Sequence, residues 1–167
     1  MDASELKKPY LRPAMTVHAD LHAALPQLVE AAAGRPMPDW SQWVAWIRDV
    51  RSRFEPKVDD YPARESGINP YHFVAALDAA MSNDHIVVSG NATACIVPFQ
   101  MMRMVGSRRM FSNSGSASMG YDLPAALGVS VAAADRPVVC LAGDGSIMMN
   151  LQELQTLHAW APRMALF

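Results

Sequence analysis

A chain of 167 residues, 51% hydrophobic and 18% charged, has ample material for one packed domain, or for one domain and a piece of another. That balance excludes a disordered chain, and 14 basic against 16 acidic residues leave no cationic surplus pointing to nucleic acid. Cys95 and Cys140 lie in apolar runs without a CxxC pair, so a disulfide framework is not expected. The start, Met1 to Lys8, lacks the apolar core of a signal peptide. The longest weakly charged stretch, Ala117 to Ala134, contains Asp122 and Pro124 and makes a poor membrane span. The expectation is a soluble, cytoplasmic globular protein without a membrane or nucleic-acid partner.

In chain order, the first predicted helix runs from Asp20 to Ala33. Asp20 caps it, and Leu21, Ala24, Leu25, Leu28 and Ala32 form an apolar face. Pro26 inside it implies a kink or a restart. Gly34-Arg35-Pro36-Met37-Pro38 breaks the chain. A second helix is expected from Asp39 to Phe54, with Trp40, Trp43, Ile47, Val50 and Phe54 on the side that packs. The charged segment Glu55 to Gly67 holds Pro56 and Pro62 and reads as an exposed connector.

Beyond it the pattern alternates. Asn69-Pro70 opens a helix through Met81, and His85 to Ser89 is a short strand of the buried type. A helix from Ala94 to Met104 and a strand from Arg108 to Ser112 come next, then a helix from Met119 to Ala134 and a strand from Pro137 to Ala142. Gly143 to Ser146 reads as a turn, Ile147 to Trp160 as one helix, and Met164 to Phe167 as the start of another strand. Alternation of this kind gives an α/β fold, a parallel sheet with helices on both faces. The final strand stops with the chain, so the expected fold is incomplete at its C-terminus, with an open sheet edge and marginal solubility.

Ligands of open α/β sheets bind beyond the carboxyl ends of the strands. Two loops fall there: Gly90-Asn91-Ala92-Thr93 and Gly143-Asp144-Gly145-Ser146. In the second, a strand delivers an acid flanked by glycines to a helix start. Glycine lets the backbone approach a ligand, and free N–H groups favour phosphate. A carboxylate in the same place repels phosphate unless a cation lies between them, which suggests Asp144 binding Mg²⁺ and Mg²⁺ binding a diphosphate. Taken alone, the tetrapeptide is far more often an ordinary Asp-Gly turn capping a helix. Upstream, Asn113 to Gly128 joins a small-residue loop to a helix start, with Met119 its bulky apolar side chain, by itself a core filler. His18, His22, His72, His85 and His158 share no metal-ligand spacing, and Ser116 and Ser118 have no hydrolase signature around them. Arg108-Arg109, near Arg103, reads as a solvated basic cluster.

Ser118-Met119-Gly120-Tyr121-Asp122-Leu123-Pro124-Ala125-Ala126, then Gly143-Asp144-Gly145-Ser146 and Asn150-Leu151-Gln152-Glu153-Leu154, resembles the thiamine-diphosphate-dependent enzymes, most closely the acetolactate synthase group. The resemblance covers nearly the whole chain. It implies a remnant of the family's central domain over 1–38, a helix and connector over 39–67, and the front of the diphosphate- and Mg-binding domain over 68–167. Asp144 would ligate Mg²⁺, with Gly143, Gly145 and Ser146 shaping the diphosphate cradle. Gly90, Asn91 and Thr93 would hold phosphates from the neighbouring strand end. Met119 would force the two rings of thiamine diphosphate into a V, while Ala117, Ser118 and Met119 form the loop whose main chain, at Ala117 and Met119, bonds the aminopyrimidine. The implied reaction is decarboxylation or carboligation of a 2-keto acid such as pyruvate. The implied assembly is a homodimer or tetramer in which a pyrimidine-binding domain, of the same or a partner chain, brings the activating glutamate.

Departures from the pattern bear on this. The family's second metal ligand, an Asn, falls past Phe167, and no residues match the pyrimidine-binding domain, so the catalytic glutamate is not among these residues and the chain alone is expected to be inactive. Ala117 stands where many relatives have Gly, and Asn91-Ala92 where acetolactate synthases proper more often carry Gln-His. The alternative is a non-catalytic diphosphate-binding module or one subunit of a split enzyme. A dinucleotide-binding oxidoreductase is disfavoured, because no GxGxxG follows a strand.

Overall fold

The computed structural model describes residues 3–10, 12–63, 65–133, 135–160 and 162–167. They form two compact units, residues 1–50 and 51–167. In the first, a 3-10 turn at Glu5–Lys7 is followed by helix α1 (Leu21–Ala32) and most of α2 (Ser41–Phe54). The Asp20 carboxylate caps α1 by accepting the His22 N–H at 2.8 Å. The helix continues through Pro26 without the expected restart. The packed face expected on α2 is not seen: Trp40, Trp43, Ile47 and Phe54 are exposed, and Trp43 stacks on Trp46 with ring centres 4.9 Å apart. Apolar spacing identifies a face but not what covers it, and nothing among the described residues covers this one.

The second unit holds α3 (Pro70–Ala80), β1 (Ile86–Ser89), α4 (Thr93–Met101), β2 (Arg109–Ser112), α5 (Asp122–Ala132), β3 (Val138–Leu141), α6 (Asp144–Ile147), α7 (Glu153–Trp160) and β4 (Met164–Leu166). Asn69 accepts the Tyr71 N–H and Pro70 takes the first helical position, so α3 starts where its sequence signals place it. The segment before it is less free than a bare connector. It carries a 3-10 turn at Val58–Asp60, Tyr61 stacks on Tyr71 at 3.6 Å, and the His72 ring meets the Tyr61 carbonyl. The helix expected over 147–160 is broken into α6, a 3-10 turn at Met148–Asn150, and α7. Gly143 to Ser146 is accordingly no simple turn, because Asp144 already opens α6.

The sheet order is β2-β1-β3-β4 and every pairing is parallel, with Ile86 opposite Arg109 on one side and Val138 on the other. Its two faces carry separate cores, as a parallel sheet requires. Val87, Val139 and Leu141 pack with Val74 and Val97 of α3 and α4, whereas Ile86, Val88, Val138 and Cys140 pack with Ala126 of α5. The alternation of side chains along each strand divides them.

At the amino ends of the strands, Arg103 and Arg109 of the expected solvated cluster are exposed, but Arg108 is instead a buried staple. Arg108 is 7% exposed and pairs with Asp78, itself 7% exposed, near the end of α3. Its guanidinium also donates to the carbonyls of Arg103, Met81 and Ser82. Arg103 adds a second ion pair to Asp78 at 3.2 Å from a largely exposed side chain. The acid lies thirty residues upstream, so the local run of arginines does not reveal it. Removing one partner of a buried pair strands the other charge. Arg108→Ala is expected to lower unfolding free energy by ~3–5 kcal/mol, toward the smaller figure because Arg103 remains; urea denaturation measures it.

Candidate cofactor site

From β1 the chain steps outward to β2, then crosses back past β1 to β3 and continues to β4. The strand order therefore reverses between β1 and β3. Connections that leave a switch point in opposite directions put their helices on opposite faces, opening a crevice at the carboxyl ends. Residues 90–92 after β1 and 142–143 after β3 flank that crevice, and the loop 113–121 after β2 reaches it.

Direct contacts join the three loops. Asn91 Nδ2 donates to the Ala117 carbonyl at 3.3 Å, linking the first to the second. Ser146 Oγ accepts the Gly120 N–H at 2.8 Å, linking the second to the third. The Met119 methyl lies 3.2 Å from the point where a side chain at Gly145 would begin. Met119 itself is 45% exposed, so it projects rather than fills a core. Ser114 to Ser118 are exposed as well. Asp144 is exposed, with its Oδ1 accepting the Gly145 N–H at 2.8 Å. All the residues singled out from sequence, Gly90, Asn91, Thr93, Ala117, Ser118, Met119, Gly143, Asp144, Gly145 and Ser146, lie on these loops or open the helices that leave them.

The backbone at the crevice is unusual. Ala92 and Ala117 both have φ of 50°, the left-handed region that alanine rarely enters. For Ala117 this gives a reason why glycine suits the position. Helices α1 and α3 are capped by Asp20 and Asn69. By contrast α4, α5 and α6, which all start at the crevice, have no side-chain bond from the residue before them. At α5 and α6 the first helical residue itself takes an N–H, Asp122 that of Leu123 and Asp144 that of Gly145, which leaves the start of α4 as the one suited to an anion. An exposed carboxylate after the neighbouring strand suits a hard cation, so the donor set fits a metal-bound diphosphate.

Comparison with known proteins agrees with this geometry. The family "Thiamine pyrophosphate enzyme, C-terminal TPP binding domain" matches residues 90–161, which span all three loops. That stretch is similar to the TPP-binding domain of the thiamine pyrophosphate enzymes. The chain is 30% identical over 156 residues to the acetolactate synthase isozyme 1 large subunit of Escherichia coli, covering 93% of this chain and 26% of that protein. It is 35% identical over 147 residues to the acetolactate synthase large subunit of Parasynechococcus marenigrum, covering 87% of this chain and 23% of that one. A chloroplastic acetolactate synthase 2 of Brassica napus is 29% identical over 159 residues, or 95% of this chain and 24% of the relative. The chain thus spans about a quarter of the length of these relatives. Among the described residues no helix is long and apolar enough to cross a membrane.

Within residues 90–161, sequence reasoning missed what lies under the loops. Asp122 is fully buried at the start of α5, with Oδ1 on the Leu123 N–H and Oδ2 without a partner. A Cβ at residue 90 would lie 2.3 Å from that Oδ2, so only glycine fits there. The carboxylate thus fills the space left by the absent side chain. Burial, and secondarily the Asp122 charge, push the Cys140 thiol up to about 12.

Gly90→Ala is expected to cost ~1–3 kcal/mol as an overpacked contact. Placed in an Asp122→Ala background, the same change should cost little, and a double-mutant cycle by denaturation measures that coupling. Cys140 stays protonated well above neutral pH, so at pH 8 thiol reagents should leave it unmodified until the chain unfolds. Peptide mapping after alkylation, with and without denaturant, checks this.

Proposed function

We propose that this chain is the thiamine-diphosphate- and Mg²⁺-binding part of an acetolactate synthase-like enzyme acting on a 2-keto acid such as pyruvate. The observation that carries this reading is the uncapped start of α4 after β1 at the switch-point crevice, together with the exposed acid Asp144 that follows the neighbouring strand β3. In this reading Asp144 ligates Mg²⁺, and Gly143, Gly145 and Ser146 shape the diphosphate cradle on one side. Gly90, Asn91 and Thr93 close it on the other, with Thr93 opening the uncapped α4. Met119 supports the V-shaped cofactor, and the Ala117 and Met119 main chain meets the aminopyrimidine across the loop that includes Ser118. When bound, thiamine diphosphate supplies the electron sink for decarboxylation or carboligation. The share of these residues is orientation and charge neutralisation.

The acetolactate synthase relatives support that assignment, and the Mg²⁺ role of Asp144 rests on its exposure beside the loop. The activating glutamate is assigned to a pyrimidine-binding domain of the same or a partner chain, in a homodimer or tetramer in the cytoplasm. Residues 1–38 are assigned to a central domain, 39–67 to the helix and connector, and 68–167 to the diphosphate domain.

Calorimetric titration of thiamine diphosphate into the chain tests the site. Binding is expected to require Mg²⁺ and to be lost in Asp144→Ala. Binding that is indifferent to both, or no heat at all from the wild-type chain with Mg²⁺ present, overturns the assignment.

A further inference from the structure

The break in the helix expected over 147–160 puts one residue in an unexpected place. Asn150 ends the 3-10 turn Met148–Asn150, and its Nδ2 donates to the Gly120 carbonyl at 2.6 Å. Four residues earlier, Ser146 Oγ accepts the Gly120 N–H at 2.8 Å. The two side chains therefore grip Gly120 by its own N–H and its own C=O. Ser146 is 2% exposed, and both bonds lie in or beside the buried interior, where they are worth most.

The orientation of the Asn150 amide is fixed by chemistry. Its Oδ1 accepts from Gln152 Nε2 at 3.2 Å, while the reversed amide would set oxygen against the Gly120 carbonyl oxygen. Gly120 is matched to the grip. Its φ is 81°, and a Cβ there would lie 2.7 Å from Asn150 Nδ2 and 2.8 Å from Met149 Cβ. The residue immediately before Gly120 is Met119, whose methyl rests against Gly145 of the same downstream segment. That exposed thioether otherwise has little to hold it, since methionine is flexible about three bonds.

We infer that Asn150 is a positioning residue: with Ser146 it clamps Gly120 and so sets where Met119 stands in the crevice. The inference rests on the thiamine-diphosphate reading only for its consequence in cofactor binding. The clamp itself is a property of this chain. It ties the loop bearing Asp144 to the loop bearing Met119, so a displacement of either is felt by the other.

The test uses the whole chain with ¹³C-methyl methionine, the Met119 signal being assigned by its loss in Met119→Leu. Asn150→Ala removes the donor. Asn150→Asp keeps the size of the side chain but sets a carboxylate against the carbonyl. Both variants are expected to shift the Met119 methyl signal and raise its mobility, with the β-strand methionine Met110 unmoved. Both should weaken Mg-dependent thiamine diphosphate binding by about tenfold. A role in packing alone predicts that Asn150→Asp behaves as wild type, and that result overturns the inference. So does an unchanged Met119 signal in both variants. If the variants do not fold, amide exchange in the wild-type chain decides: Gly120 N–H is expected to be protected, and fast exchange there overturns the clamp. Failure of the wild-type chain to bind cofactor counts against the function proposed above, whereas the methyl signal judges the clamp separately.

Discussion

The reversal of strand order between β1 and β3 is the constraint on which the rest of this unit depends. Because connections between parallel strands are right-handed, a chain that leaves β1 in one direction and returns past it must place successive helices on opposite faces. The two cores follow from this, one under α3 and α4 and the other under α5. So does the crevice, since helices diverging on either side leave the strand ends open. Four short strands with almost wholly apolar inner residues suffice to hold that geometry.

Several polar bonds at the crevice cross between its loops. Asn91 reaches Ala117, Ser146 and Asn150 reach Gly120, and Asp122 fills the hollow beneath Gly90. At the opposite end of the sheet, Arg108 and Asp78 join α3 to the approach of β2. Polar groups in this unit thus mark the ends of the sheet, and apolar side chains its middle. A ligand site at one end can then vary in its loops without disturbing the strands that carry it.

Much of this was legible in the sequence, for reasons that can be named. Short apolar runs flanked by turn signals, Ile86 to Val88 and Val138 to Leu141, marked the two central strands, and Asn69-Pro70 marked a helix start to the residue. The loops at Gly90 and Gly143 were legible because each follows an apolar strand, whereas the individual candidate residues were named by the family resemblance. What escaped was set by contacts remote in sequence. The start of α5 slips from Met119 to Asp122 because Gly120 turns left-handed within a grip supplied thirty residues later. The helix after Gly143 breaks where Asn150 is drawn toward Gly120. Arg108 looked solvated until Asp78 was found beside it, and Trp40 and Trp43 looked like core residues but remain exposed. Periodicity reports the shape of an element, not the neighbour it will meet.

Ala92 and Ala117 bear on how this protein can change. Each holds a backbone conformation that costs of order 1–3 kcal/mol for a residue with a side chain. The folded chain carries that burden in the loops rather than in the sheet, so the cost is concentrated at the crevice. Random variation screened for heat resistance would then find glycine at these two positions among its simplest improvements. A gain in rigidity elsewhere would leave them untouched. Evolution of this domain toward greater stability would accordingly begin at these two alanines.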